Sequence, residues 1–397
     1  MRVIILATYF APDLGGGVAR YEREVLPRLL PLLVAAGCEV TVLVLKDGNG
    51  WEPAKGVRVI TVPVGRDQPF KRFVYDQLYG SRQSWGTDVL FSMEYWLPLL
   101  PVWSKRSIVV IHDAHAELEW IKCRWRPLDA KFRRFFYWHN AYTKAARLSD
   151  RILTDSVFAG EEISRVFRVP REKIRSIYLG VDTRKLCPVK DRAVIGRVRK
   201  RYTLPDRYDL FVGPPCGDKN LRYILKSFVD MEAMHPGVLP VVVSSARPGP
   251  SVEAELVAQL EAAGRGHLVH FAGHVKKADL AVVYSAARAL IFPSLHEGFG
   301  LPPLEAMACG TPVIATNRTS VPEVVGDAAI VIDPGDSQSL LTALEKIRCE
   351  SVRQDLIARG LERVKIFSWD RTAQQVAEEL VSEVSPASST NGGRPKK

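Results

Sequence analysis

Two acidic residues eight positions apart, Glu297 and Glu305, lie in the stretch of this chain richest in potential chemistry. It reads Ser294-Leu295-His296-Glu297-Gly298-Phe299-Gly300-Leu301-Pro302-Pro303-Leu304-Glu305-Ala306-Met307-Ala308-Cys309-Gly310-Thr311-Pro312-Val313-Ile314-Ala315 and follows an apolar run, Ala289–Phe292. Gly298 and Gly300 open a loop in which backbone can come close to a ligand. Pro302 and Pro303 suit a first helical turn and Gly310 suits the residue just past the end, which predicts a helix over Pro302–Cys309. The free N–H groups of that helix point into the loop and favour an anion such as a phosphate. Glu305, mid-helix among apolar residues, needs hydrogen-bond donors to keep its charge. Ribose or sugar hydroxyls are suitable donors. Two carboxylates above a phosphate-holding helix N-terminus have the chemistry of a sugar-nucleotide site. The competing reading, two solvated helix-face acids, is disfavoured by the glycine loop and the strand before it.

Smaller signals accompany this one. Pro12-Asp13-Leu14-Gly15-Gly16-Gly17-Val18-Ala19 joins a first strand to a first helix, and such a turn is a platform for phosphate or sugar. It lacks the Gly-x-Gly-x-x-Gly spacing, so a nicotinamide fingerprint is not supported. His112 and Asp113 end an apolar strand, and Lys219 stands in the loop Gly213-Pro214-Pro215-Cys216-Gly217-Asp218-Lys219-Asn220.

The elements that must position these residues recur with a regular grammar. Val3–Thr8, Glu39–Leu45, Val57–Val62, Val89–Ser92, Ile108–Ile111 and Ile152–Thr154 read as strands separated by helical patterns such as Ala19–Ala36. The pattern restarts with strands at Leu210–Gly213, Val241–Ser245, Val269–Ala272, Ala289–Phe292, Val313–Ala315 and Ala329–Ile332. Helical patterns at Leu221–Met234, Glu253–Gly264, Lys277–Ser285 and Ser337–Glu350 separate this second set. Alternating strands and helices imply parallel sheets covered on both faces. The fold class is therefore α/β, with two doubly wound Rossmann-like domains and ligands bound outside the carboxyl ends of their strands. The boundaries expected are 1–182 for the first domain and 190–366 for the second. A last helix falls within 367–384, and the tail 385–397 is expected to be disordered.

The Glu297–Glu305 segment resembles the signature of the retaining family-four glycosyltransferases. That family carries Glu, seven residues, Glu within Glu-Gly-Phe-Gly-Leu-Pro…Glu-Ala-Met-Ala…Gly-x-Pro-Val-Ile. The likeness continues through Val321-Pro322-Glu323-Val324-Val325-Gly326-Asp327-Ala328 and spans residues 1 to 382. It implies the GT-B fold, with two facing Rossmann-like domains and a cleft between them. It also implies transfer of a hexose from a nucleoside-diphosphate sugar to a saccharide hydroxyl, with retention and without a metal or cofactor. Carried over residue by residue, Glu305 holds the nucleotide ribose and Glu297 contacts the transferred sugar. The amides of Gly298, Phe299, Gly300 and Leu301 hold the diphosphate and sugar, and Lys219 neutralises the leaving diphosphate. His112 contacts the hexose, Val275 meets the nucleobase through its backbone, and Gly16 and Gly17 belong to the loop over the diphosphate. The likeness departs at Pro214, where the family has an arginine, with Arg222 and Arg247 as nearby substitutes. The last helix braces the first domain in such enzymes. The form of the signature is similar to polysaccharide mannosyl- and rhamnosyltransferases, which favours GDP-mannose over a UDP- or dTDP-sugar.

The 397 residues carry a formal charge of +11, unevenly spread. Residues 1–185 hold 29 basic and 20 acidic side chains, against 26 and 24 in the rest. Between Lys122 and Arg147 basic residues interleave with Trp125, Phe132, Phe135, Phe136, Tyr137, Trp138 and Tyr142, a pattern suited to an anionic membrane surface and a lipid-linked acceptor rather than nucleic acid. No run of 18 apolar residues spans a membrane, and six scattered cysteines suit a reducing compartment. The expected place is the cytoplasm, peripheral on the inner face of the cell membrane. A nucleotide-sugar epimerase and a non-catalytic nucleotide-sugar or polysaccharide-binding subunit are the alternatives.

Overall fold

The computed structural model describes residues 1–8, 10, 16–46, 53–65, 75, 78, 80–98, 102–114, 140–215, 217–230 and 238–382. Two parallel sheets organise it. The first contains β1 (Arg2–Leu6), β2 (Glu39–Leu45), β3 (Val57–Val62), β4 (Val89–Ser92), β5 (Arg106–Val110), β6 (Arg151–Thr154) and β7 (Ile174–Ser176), in the order β3-β2-β1-β4-β5-β6-β7. The second contains β8 (Asp209–Phe211), β9 (Val241–Val243), β10 (Val269–Phe271), β11 (Leu290–Phe292), β12 (Val313–Thr316) and β13 (Ala329–Ile332), in the order β10-β9-β8-β11-β12-β13. Both orders run outward in two directions from a central pair, the doubly wound arrangement. The α/β class read from the sequence is the class observed.

Grouping by Cα proximity gives two compact units, Met1–Val109 with Asp370 onward, and Val110–Trp369. In the first unit α1 (Gly17–Ala35) buries Tyr21, Val25, Leu29 and Leu33. Pro27 and Pro31 sit inside it on the exposed face, so the carbonyls that lose an N–H partner face water. In the second unit run α2 (Val157–Phe167), α3 (Arg192–Tyr202), α4 (Leu221–Val229), α5 (Val252–Ala262), α6 (Lys277–Ala286), α7 (Leu301–Ala308), α8 (Val321–Val325), α9 (Ser337–Lys346) and α10 (Glu350–Arg363). The last helix, α11 (Trp369–Val381), has Asp370 bonded to Arg28 of α1 at 2.8 Å. Ser382 just beyond it accepts from Arg106 of β5 at 3.0 Å.

Short strands buried on both faces explain the apolar runs. Val241, Val242 and Val243 are fully buried, as are Leu290 and Ile291. β8 and β11 are also tied at their amino ends, where the buried carboxylate of Asp209 accepts from Nε and Nη2 of Arg288. Four helices and one strand escaped the sequence pattern. In α3 only Val198 is buried, so its eleven residues read as a charged run. β7 is three residues long and offers no periodicity. α2, α8 and α10 were also missed, and residues 231–234 of the longer helix expected around α4 lie outside the described residues. Among the described residues no helix is long and apolar enough to cross a membrane.

Candidate active site

In the second sheet the order reverses between β8 and β11, and ligands of doubly wound sheets bind outside the carboxyl ends at that point. The loop after β8 carries Lys219 and the loop after β11 carries Glu297. The two loops are stitched together. Leu295 N donates to Asp218 O at 2.7 Å, Ser294 Oγ to the same oxygen at 2.9 Å, and Asn220 Nδ2 to Pro293 O at 3.1 Å. Asn220 takes a left-handed conformation (φ 60°) as it caps α4, which a short amide side chain tolerates. The result is a contact the sequence did not announce: Lys219 Nζ lies 2.6 Å from Glu297 Oε1. The carboxylate is largely buried and the ammonium nearly a third exposed.

The Glu297 loop is held from below as well. Ser320 Oγ donates to Glu297 O at 2.9 Å and to Phe299 O at 3.0 Å, and Glu297 N donates to Thr319 Oγ1 at 3.2 Å. The Phe299 side chain is buried and packs with Tyr178 and Phe367, ring centroids 6.1 and 5.8 Å away. Its contribution to a ligand is therefore confined to backbone. Burial and a bond to Glu323 push the Tyr178 phenol up to about 12, so it stays a donor at neutral pH. Gly300 has φ 100° and caps α7, which starts at Leu301, one residue earlier than the proline pattern suggested. Within the first turn of α7 only Leu301 and Leu304 carry an N–H, because Pro302 and Pro303 have none, so the donors near the loop are mainly those of Gly298 to Leu301.

Glu305 is buried on α7, and Tyr284 of α6 donates to its Oε2 at 2.7 Å. One donor the sequence reading assigned to a sugar hydroxyl is thus supplied by the protein. His112, just past β5, is buried and its Nδ1 lies 2.8 Å from Asp155 Oδ2. Burial pushes the Asp155 carboxyl up, while the bond and charge of His112 pull it back. A carboxylate on Nδ1 fixes the ring and leaves Nε2 as the nitrogen turned away from it. Asp155, not the adjacent Asp113, is the partner. It follows β6, so the usable signal was an acid at the carboxyl end of a parallel strand. Gly298 meets His112 directly. A Cβ on Gly298 would collide with the His112 carbonyl oxygen and come within 3.1 Å of Asp113 Cβ. The structure therefore brings Lys219, Glu297, Gly298 and His112 together within Val110–Trp369.

Other expected residues are placed as follows. Val275 is buried beyond Gly273 (φ 70°), and the next amide, Lys276 N, donates to Tyr202 Oη at 3.0 Å. In the first unit Gly16 caps α1 with φ 99° and Gly17 opens it. Residues 12–15 of that turn, residues 122–138 of the basic aromatic segment and the tail 385–397 lie outside the described residues. Pro214 is exposed. Its suggested substitutes have other partners: Arg222 faces Glu253 at 3.8 Å and Arg247 bonds Glu261 at 2.8 Å. Among the described residues no group of three His, Cys, Asp or Glu side chains is arranged to hold a metal ion.

Residues 200–363 match the family Glycosyl transferases group 1, and residues 15–185 match Glycosyltransferase Family 4. O-antigen chain mannosyltransferase B of Escherichia coli is 31% identical over 315 residues, covering 78% of this chain and 80% of that one. The chain is a group 1 glycosyltransferase. O-antigen chain mannosyltransferase RfbU of Salmonella typhimurium is 25% identical over 81% of this glycosyltransferase and 84% of its own length. Sucrose-phosphate synthase from Thermosynechococcus elongatus superposes with a TM-score of 0.71 over 95% of this chain and 98% of that one, at 21% identity. The glycosyltransferase thus has the α/β GT-B fold, and its donor is a nucleotide sugar.

Proposed function

We propose that this glycosyltransferase moves mannose from GDP-mannose to a hydroxyl of a growing cell-surface saccharide, with retention and without a metal. The observation that carries the reading is the Lys219–Glu297 pair at the switch point of the second sheet, beside the N-terminus of α7. A diphosphate there takes the loop amides and the Lys219 ammonium, and the leaving charge is stabilised by groups already in place. Glu305 takes the ribose and Glu297 a hydroxyl of the transferred sugar. His112, held by Asp155, adds Nε2 on the sugar side. Retention follows when the acceptor hydroxyl attacks the face the diphosphate leaves, with the departing oxygen taking the proton. Positioning then supplies most of the rate. The choice of mannose is supported by the two relatives above, both O-antigen chain mannosyltransferases. In a thermal-shift screen GDP and GDP-mannose should raise the melting temperature in the wild type and not in Glu305→Ala, because a ligand stabilises the state it binds. A shift with UDP or dTDP and none with GDP would reassign the donor.

The acceptor is read as lipid-linked, with the first half of the chain against an anionic membrane, on the strength of its 29 basic and 20 acidic residues. Wild-type protein should therefore sediment with vesicles rich in anionic lipid at low salt and be released as salt rises. Equal recovery with neutral vesicles would rule this out.

A further inference from the structure

His296, immediately before Glu297, makes a contact that the chemistry above does not use. Its Nε2 lies 3.1 and 3.0 Å from the two carboxylate oxygens of Glu162, on α2, 134 residues earlier. The Glu162 side chain is only 4% exposed and that of His296 14%. A carboxylate so deeply buried on a helix face requires a strong partner. Two further acids act on the same imidazole: Asp113, past the end of β5, and Asp218, from the turn that carries Lys219. Three carboxylates from separate segments therefore act on the ring, with Glu162 alone in direct contact. A second tie lies two residues on, where Ser156 Oγ at the start of α2 donates to Gly298 O at 2.7 Å. α2 thus grips the loop on both sides of Glu297.

We propose that Glu162 is a positioning residue for the transfer reaction: by holding His296 it fixes the backbone that sets the Glu297 carboxylate against Lys219. The inference rests on the reading of Glu297 as a donor-site residue. Burial alone would lower the His296 pKa, but the bond and charge of Glu162, with Asp113 and Asp218, outweigh it and hold the imidazole above its ordinary value of about 6.5. The sign follows. The charged contact is complete below the ordinary value and is lost as pH rises through the raised one.

The test compares full-length wild type, Glu162→Gln and Glu162→Asp, with donor KM and kcat measured from about pH 5.5 to 9 and the His296 ring titrated by NMR. Glu162→Gln should raise donor KM about tenfold near neutral pH, with kcat changed less, since small displacements of positioned groups cost that order. The alkaline fall in kcat/KM should move to lower pH, together with the His296 titration. Glu162→Asp, which keeps the charge, should restore part of both. Wild-type KM and pH limb in Glu162→Gln would overturn the proposal. So would a loss equal at every pH and accompanied by a lowered melting temperature. Glu297→Gln is assayed beside them. If it turns over at the wild-type rate, the donor-site reading fails and this role for Glu162 falls with it. If Glu297→Gln is crippled while Glu162→Gln is normal, only the role of Glu162 fails.

Discussion

Lys219→Ala is expected to lower transfer by at least about 100-fold while leaving the fold intact, the range found when a preorganised charge-stabilising group is removed. The lysine is the cation closest to Glu297, at 2.6 Å, and the two arginines that might have shared its work face Glu253 and Glu261 instead. Pro214 offers no charge. On the proposed reading, Lys219 is the described cation that faces the diphosphate, together with the loop amides. Because Lys219 also neutralises Glu297, its removal strands that carboxylate in a largely buried position. The double variant Lys219→Ala/Glu297→Ala should accordingly be less impaired than the two single losses multiplied together. Purified Lys219→Ala working near the wild-type rate would refute the assignment.

Gly298→Ala should reduce transfer by roughly 100-fold, since displacement of reacting groups by about an ångström costs that much. The reason is space. Backbone from the His112 segment abuts Gly298, so an added methyl collides with a carbonyl oxygen that has no rotamer to escape into. Either the Glu297 loop or the His112 strand end must shift, and both carry candidate site residues. Overpacking should also lower stability by about 1–3 kcal/mol. Kinetics of the purified variant beside its urea unfolding curve separate the two effects. Unchanged kcat/KM would show that the loop is not needed where it stands.

The sheets were legible because parallel strands buried on both faces must be apolar throughout, as Val241–Val243 and Leu290–Phe292 are. The α7 loop was legible because glycines and prolines have few other uses in that order. What stayed hidden were partners distant in sequence. Nothing near residue 112 points to Asp155, nothing near 305 points to Tyr284, and nothing near 296 points to Glu162. Each pairing is created by topology, which brings together residues 43, 21 and 134 positions apart. The partners of Arg222 and Arg247 were hidden in the same way, since Glu253 and Glu261 lie on the helix α5.

The start of α2 is capped twice. Ser156 receives Ala159 N at 3.0 Å, a bond local to the chain. The carboxylate of Glu323 receives Val157 N at 2.7 Å and Phe158 N at 3.1 Å, across 166 and 165 residues. On a ribosome adding about 5–20 residues per second, those residues take roughly ten to thirty seconds to arrive. For that interval the first turn of α2 has its local cap but not its distant one. The order of synthesis thus leaves this helix N-terminus without its second cap until residue 323 has been made, long after β6 and β7 on either side of α2.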